Sequence, residues 1–176
     1  PLIAGVVQRE NGRPENASIM YSKEGDLQSV YIKRGLTPFG EFMPLRKIAE
    51  FVSPMAKTVV DFVPGDRAVT HQVSGVKLGP VICYEIIIDS LVREMANNSK
   101  ALIVQTNSAT FANTAESAQQ LAITRIRAVE HSRAILSVST VGISAFIDNN
   151  GRVLSQTLEN RKAFLVGDLL LNTHKT

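Results

Sequence analysis

The chain has 176 residues, 44% of them hydrophobic and 20% charged, with a net charge of +3, a composition that fits one globular domain with its own core. Its 19 Lys and Arg are scattered rather than gathered in a stripe, so a nucleic-acid partner is not expected. The single cysteine excludes an internal disulfide, no apolar run approaches the roughly 20 residues of a spanning helix, and no basic-then-apolar leader opens the chain.

Residues 2–8 and 17–21 read as strands, joined by the turn-rich segment RENGRPEN. Residues 27–33 form the next strand, with KEGD as its hairpin turn. A stiff loop follows, in which Pro38 and Pro44 fix φ and Gly40 permits unusual torsions. It presents Lys33 and Glu41. A lysine can pair with a carboxylate, lower the pKa of a nearby thiol or hold an oxyanion, and a glutamate can orient that lysine or move a proton. From residue type alone, two solvated surface groups are the competing reading. Residues 46–51 give a short helix. The proline-bearing stretch 53–65 is an irregular excursion, either a lid or flap, or a solvated insertion.

Residues 67–72 and 76–83 pair around Ser74-Gly75, and the second strand stops at Cys83, where a helix-like segment begins at Tyr84. The first turn of a helix has unpaired N–H groups and partial positive charge, which favour a thiolate and later an oxyanion. A buried cysteine acting as a small hydrophobe is the alternative. Residues 87–97 read as a helix with Leu91, Met95 and the isoleucines inward, closed by Asn97-Asn98. Residues 101–106 form an apolar strand of the kind buried on both faces. The longest helix spans 117–134, placing Leu121, Ile126 and Val129 toward the core and Arg125, Arg127, Glu130 and Arg133 on polar faces. Strands at 135–140, 143–148, 153–157 and 164–170 complete the chain, with Asn149-Asn150-Gly151 as a hairpin turn. Asn107, Ser108 and Phe111 follow a buried strand and either line a pocket or form a structural turn. His71, His131 and His174 are widely spaced beside no other ligand types, so neither a metal nor a cofactor is expected. Periodicity alone supports a mixed α/β domain.

YIKRGLTPFGEFMPL at 31–45, followed by GPVICYEI at 79–86, resembles the apolipoprotein N-acyltransferase branch of the nitrilase, or carbon-nitrogen hydrolase, superfamily. The family's K-x-x-L-x-P-F-G-E-x-x-P loop carries its catalytic lysine, which implies Lys33, with the loop glutamate at Glu41. Its C-Y-E elbow implies Cys83 as nucleophile. The resemblance assigns Phe39, Tyr84, Glu85, Asn107, Ser108 and Phe111 to substrate binding. ALIVQTNSATF and QQLAITRIRAVEHSRAILSVSTVGISAFIDNNGRV continue the likeness over nearly all of the chain. Two departures stand out. Thr110 replaces the family's usual loop aromatic, and the family's general-base glutamate, from an earlier strand-end motif, has no counterpart, since neither Glu10 nor Glu15 lies in a matching context.

The resemblance implies an α-β-β-α sandwich, incomplete at its N-terminal side and with one uncovered sheet edge. Residues 1–176 would be a single catalytic domain in its C-terminal portion, without the transmembrane segments that flank the family's domain. The implied reaction is ping-pong acyl transfer at the extracytoplasmic face of a bacterial cell membrane. A phospholipid is the acyl donor, a Cys83 thioester the intermediate, and the N-terminal amine of a diacylglyceryl-cysteine lipoprotein the acceptor. Lys33 and the Tyr84 N–H would hold the oxyanion, and Glu41 would position Lys33 or the amine. Without the family base, this chain alone should be nearly inactive. Rival readings are a soluble amidase or nitrilase using water as acceptor, an inactive fragment or binding module with a retained thiol, and, further behind, Cys–His proteolysis through His71.

Overall fold

A computed structural model describes residues 1–109, 114–169 and 171. Strand β1 (Leu2–Glu10) turns directly into β2 (Arg13–Tyr21) through Asn11 and Gly12, both with positive φ (50° and 80°). Asn-Gly is the pair that such a two-residue hairpin favours. The expected loop over residues 9–16 is therefore mostly strand. β3 (Leu27–Ile32) adds antiparallel to β2, giving a three-stranded sheet in the order β1-β2-β3.

The second sheet has six strands in the order β4 (His71–Val73), β5 (Val76–Ile82), β6 (Ala101–Thr106), β7 (Ala134–Ser139), β8 (Ala145–Ile147) and β9 (Val153–Gln156). Its three central strands are parallel, because α2 (Asp89–Asn98) and α3 (Glu116–Glu130) supply the crossovers. Hairpins make the flanking pairs antiparallel. The alternation of side chains along these strands divides the core into two layers. Val81, Leu102, Val104, Ile135 and Ile147 meet Ile86, Val92, Met95 and Ala128 on the helical side. Leu78, Ala101 and Ile103 point the other way, toward Ile3 of the smaller sheet. There His71, fully buried on β4, bridges the sheets by bonding the Ser18 hydroxyl (2.9 Å) and the Ser29 hydroxyl (2.7 Å). Two sheets face each other with helices outside, in agreement with the α/β sandwich.

Several local expectations are corrected. The strand at 67–72 shortens to His71–Val73, and that at 143–148 to Ala145–Ile147. The helix expected at 87–97 starts at Asp89, because Cys83–Ile87 forms a 3₁₀ turn first. Helix α3 ends at Glu130, and Ser132 (φ 48°) breaks the chain out of it. Leu121 packs toward the core as expected, with Ile123 and the buried Ser117, Thr124 and Ala128, whereas Ile126 and Val129 are 64% and 54% exposed. Arg133 is buried rather than on a polar face, its Nε donating to the Ala96 and Ser99 carbonyls (3.2 and 3.1 Å). Residues 164–169 pair with no strand, and 170 lies outside the described residues. Helix α1 (Arg46–Val52) buries none of its residues and leads into a 3₁₀ turn at Pro54–Thr58.

Candidate active site

Lys33 is the first residue past β3, held by its N–H on the Asn16 carbonyl (2.8 Å). Its side chain is fully buried, with Nζ donating to Glu41 Oε2 (2.6 Å), Glu41 Oε1 (2.7 Å) and Thr37 Oγ1 (3.1 Å). The Pro-Phe-Gly-Glu segment makes this possible. Gly40 and Glu41 donate to the Thr37 carbonyl (3.3 and 2.8 Å) and Phe39, at φ 64°, to that of Phe42 (2.8 Å). This tight turn folds Glu41 back over Lys33. The Glu41 carboxylate also accepts the Thr37 N–H (2.7 Å) and the Asn16 side-chain amide.

Cys83 sits where β5 stops and the 3₁₀ turn begins, at φ 52°. For a residue with a Cβ this left-handed conformation is strained and needs surrounding structure to hold it. Glu85, 1% exposed, supplies much of that. Its Oε2 accepts the Ile82 N–H (2.8 Å), and its Oε1 accepts the Tyr31 hydroxyl (2.7 Å) and the N–H groups of Arg34 and Gly35 (2.7 and 3.0 Å). One carboxylate thus ties the cysteine elbow to the lysine loop. Gly35 allows that approach, because a Cβ there would lie 2.5 Å from Ile88 Cδ1 and 3.1 Å from Glu85 Cγ. From the other side, Gln120 of α3 donates to the Cys83 carbonyl (3.4 Å) and Thr106 Oγ1 (3.3 Å). Two turns on, Arg127 donates to the Ile86 and Ile87 carbonyls (2.8 and 3.2 Å) and pairs with Asp89 and Glu130.

Burial pushes the Cys83 thiol above its ordinary range. Lys33 and the Tyr84 N–H pull it down, while the charges of Glu41 and Glu116 push it up. The expected net lowering by lysine and helix start is corrected accordingly: both act, but desolvation outweighs them and Glu41 offsets the lysine. The balance of these influences shifts Cys83 toward the protonated thiol.

The other expected site residues separate into groups. Tyr84 is half-buried beside the thiol. Glu85 lies behind the elbow, saturated by four donors. Phe39 is 67% exposed and borders a hollow of about 420 Å³ with Met43, Ala49, Val52 and Val59. Asn107 is exposed at the end of β6, with Oδ1 accepting the Ala109 N–H (3.2 Å) and Thr140 Oγ1 (2.9 Å). Ser108 is 1% exposed and bonded to Ser139 Oγ (2.9 Å). Phe111 and Thr110 lie outside the described residues. Asn16, Tyr31, Thr37, Gln120 and Arg127 join the site without having been singled out from the sequence. Tyr31 and Thr37 stood inside the loop motif, and Gln120 and Arg127 share a helix face seven residues apart, but nothing in the letters says which face meets the elbow. Among the described residues no three His, Cys, Asp or Glu converge as metal ligands, and no helix is long and apolar enough to cross a membrane.

The family model for carbon-nitrogen hydrolases matches residues 1–175. The apolipoprotein N-acyltransferase of Mycolicibacterium smegmatis is 35% identical over 99% of this chain and 30% of its own length. That of Coxiella burnetii is 35% identical over 86% of this chain and 32% of its own. The chain therefore spans about a third of the curated relatives it matches. Among solved structures, Saccharomyces cerevisiae Nit3, of the nitrilase superfamily, superposes with a TM-score of 0.65 at 18% identity, covering 91% of this chain and 55% of that one. The superfamily protein XC1258 of Xanthomonas campestris gives 0.66 at 18% identity, covering 90% and 59%. At such identities the structural likeness is one of fold.

Proposed function

This chain belongs to the carbon-nitrogen hydrolase family, and from that premise we propose that it carries the acyl-transfer site of an apolipoprotein N-acyltransferase, moving an acyl chain from a phospholipid to the N-terminal amine of a diacylglyceryl-cysteine lipoprotein through a thioester on Cys83. The observation that carries this reading is the buried Lys33–Glu41 pair fixed against a left-handed cysteine elbow. The similarity to relatives named apolipoprotein N-acyltransferase directs it to acyl transfer.

Cys83 Sγ attacks the ester carbonyl, and the oxygen gains negative charge. Lys33 Nζ and the Tyr84 N–H receive it. Two of the three Nζ protons are committed to Glu41, so the one on neutral Thr37 is free to turn to the oxyanion. The ester oxygen leaves with a proton as the lysophospholipid alcohol. The amine nitrogen then attacks the thioester carbon, sulfur departs, and the amide product is released. A thioester suits this second step because it reacts with amines far faster than an oxygen ester does.

A lipid donor also fits the rim. Phe39, Leu45, Ile48, Phe51 and Val52 are 67%, 77%, 61%, 92% and 76% exposed, all within the segment that follows the catalytic lysine. A contiguous apolar surface of this kind marks a lipid or partner site. In this reading the site works against the extracytoplasmic face of a bacterial membrane.

Glu41 and Glu85 are engaged by donors on both oxygens, which disfavours either as the base for the Cys83 proton. We assign that base to a glutamate outside residues 1–176, whose loss lowers the rate of this chain alone by about 10²–10⁴. The reading is tested by incubating the full-length protein with phospholipid and measuring its intact mass. An acyl adduct on Cys83, absent from Cys83→Ser, supports it. Cleavage of a small amide with no adduct from phospholipid would replace it with the amidase reading.

A further inference from the structure

Three carboxylates stand on the elbow or on segments that pack against it, and they differ in what occupies their oxygens. Glu41 accepts from Lys33, Thr37 and Asn16. Glu85 accepts four donors. Glu116 is different: it opens α3 and its Oε2 is buried with no hydrogen-bond partner among the described residues. It lies one helical turn before Gln120, on the same face, and Gln120 touches the Cys83 carbonyl at 3.4 Å. Its charge is felt at the Cys83 thiol. A buried, unpaired carboxylate oxygen costs free energy unless something fills its lone pairs.

We propose that Glu116 binds the incoming primary amine of the acceptor and takes its proton as the amine attacks the Cys83 thioester. The proposal rests on the acyl-transfer reading and adds a residue to its second half. An aliphatic amine is mostly ammonium at neutral pH, so an acceptor site needs an anion to attract it and a base to neutralise it. One carboxylate with a free oxygen serves for both. The ammonium first gives one proton through Glu116 to solvent; the neutral nitrogen then forms the amide bond as the carbon–sulfur bond breaks, its second proton passes to Glu116 and on to solvent, and the Cys83 thiolate takes one proton back from solvent, which restores thiol and carboxylate. A helix N-terminus alone would favour the ionised form of Glu116. Burial and the nearby Glu159 work against it and move this carboxyl upward, the direction a general base at neutral pH requires. The charged and titratable groups that bear on it are Glu159, which follows β9, and Cys83 on the elbow, whose thiol also feels Lys33 and Glu41.

The test separates the two half-reactions in the full-length protein. Cys83 is loaded from phospholipid, and discharge is followed by intact mass with a synthetic diacylglyceryl-cysteine peptide or with hydroxylamine, which is already neutral at pH 7. Glu116→Gln should load and then accumulate thioester, its discharge by the peptide slowed about 10²–10⁴-fold, while hydroxylamine discharges it much as it does the wild type. The wild-type peptide rate should fall on acidification through an inflection that Glu116→Gln lacks and Glu116→Asp keeps. Wild-type discharge by Glu116→Gln, equal slowing toward both nucleophiles, or failure of this variant to load would each overturn the proposal. Failure of the wild type itself to load would instead remove the thioester reading, and the inference with it.

Discussion

Replacing Glu85 by glutamine leaves the shape of the side chain intact and changes only what it can accept. The carboxylate has three donors on Oε1 and one on Oε2, all at 2.7–3.0 Å in a site 1% exposed. Glutamine keeps the three on its carbonyl oxygen, but its NH₂ then points at the Ile82 N–H, donor against donor. One hydrogen bond to a charged group is lost, at about 1.5–3 kcal/mol, and a buried N–H is left unmet. The remaining bonds weaken as the charge disappears. The sum is roughly 2–4 kcal/mol, or about 5–15 °C in melting temperature for a domain of this size. Tyr31→Phe removes a single donor and should cost about 1–2 kcal/mol. The two are compared by thermal unfolding and by the rate at which iodoacetamide labels Cys83, since a freed Ile82 N–H loosens the elbow that holds the thiol. Glu85→Gln melting within 2 °C of the wild type, with unchanged labelling, would refute the clamp and leave Glu85 available for a role at the substrate.

Lys33→Ala should lower acyl transfer by far more than Arg34→Ala, because Lys33 is buried against Glu41 while Arg34 reaches a partly exposed Glu94 at 2.7 Å; equal losses measured with a phospholipid donor would mean that Lys33 is not the oxyanion ligand. Iodoacetamide labelling of Cys83 should rise with pH through an inflection above the ordinary thiol range, and Lys33→Met should move it higher still by removing a charge that pulls it down. An inflection below that range would contradict the dominance of burial. Burial holds the His71 imidazole down to about 4 from 6.5, so the unfolded chain takes up this proton first, and about 3 kcal/mol of stability should be lost as pH falls from 6.5 to 4; His71→Gln should flatten that part of a urea-unfolding pH series, and an unchanged slope would show that other groups control it.

The strands, the elbow and the lysine loop were legible because each has a local signature: alternating residues, Asn-Gly turns, a proline-framed loop, a cysteine ending an apolar run. What was missed depends on contacts between distant segments. The inward face of α3 joins Leu121 and Ile123 to Ser117, Thr124 and Ala128, which carry little apolar signal, while Ile126 and Val129, assigned inward on hydrophobicity, are more than half exposed. Arg133 looked like a surface charge because its partners, the Ala96 and Ser99 carbonyls, lie 37 and 34 residues away. The clamp formed by Glu85 was hidden for the same reason, since its donors at Tyr31, Arg34 and Gly35 lie 54, 51 and 50 residues away. The stretch at 164–170 has the residue types of a strand, but strand formation needs a partner, and 164–169 meet none.

These contacts also divide the site into a buried part and an exposed apolar part. A left-handed cysteine stores on the order of 1–3 kcal/mol of strain, and the donors on Glu85 together with the Gln120 and Arg127 contacts to the elbow carbonyls are enough to offset it. The thiol is thereby held at one orientation before any ligand arrives, which is the condition for positioning to contribute to rate. The rim from Leu45 to Val52 is held differently, as α1 buries none of its residues and Arg46 ties it by bonds to Glu50, Asp61 and the Ala56 and Val59 carbonyls. Covering an exposed aliphatic or aromatic side chain contributes about 1.5–3 kcal/mol, so burying three or four of these residues against an acyl chain or lipid surface would supply roughly 5–10 kcal/mol. In the acyl-transfer reading, that energy is released only when a lipid covers the rim, and the rigid elbow lets it act on the donor's position instead of being consumed in ordering the nucleophile.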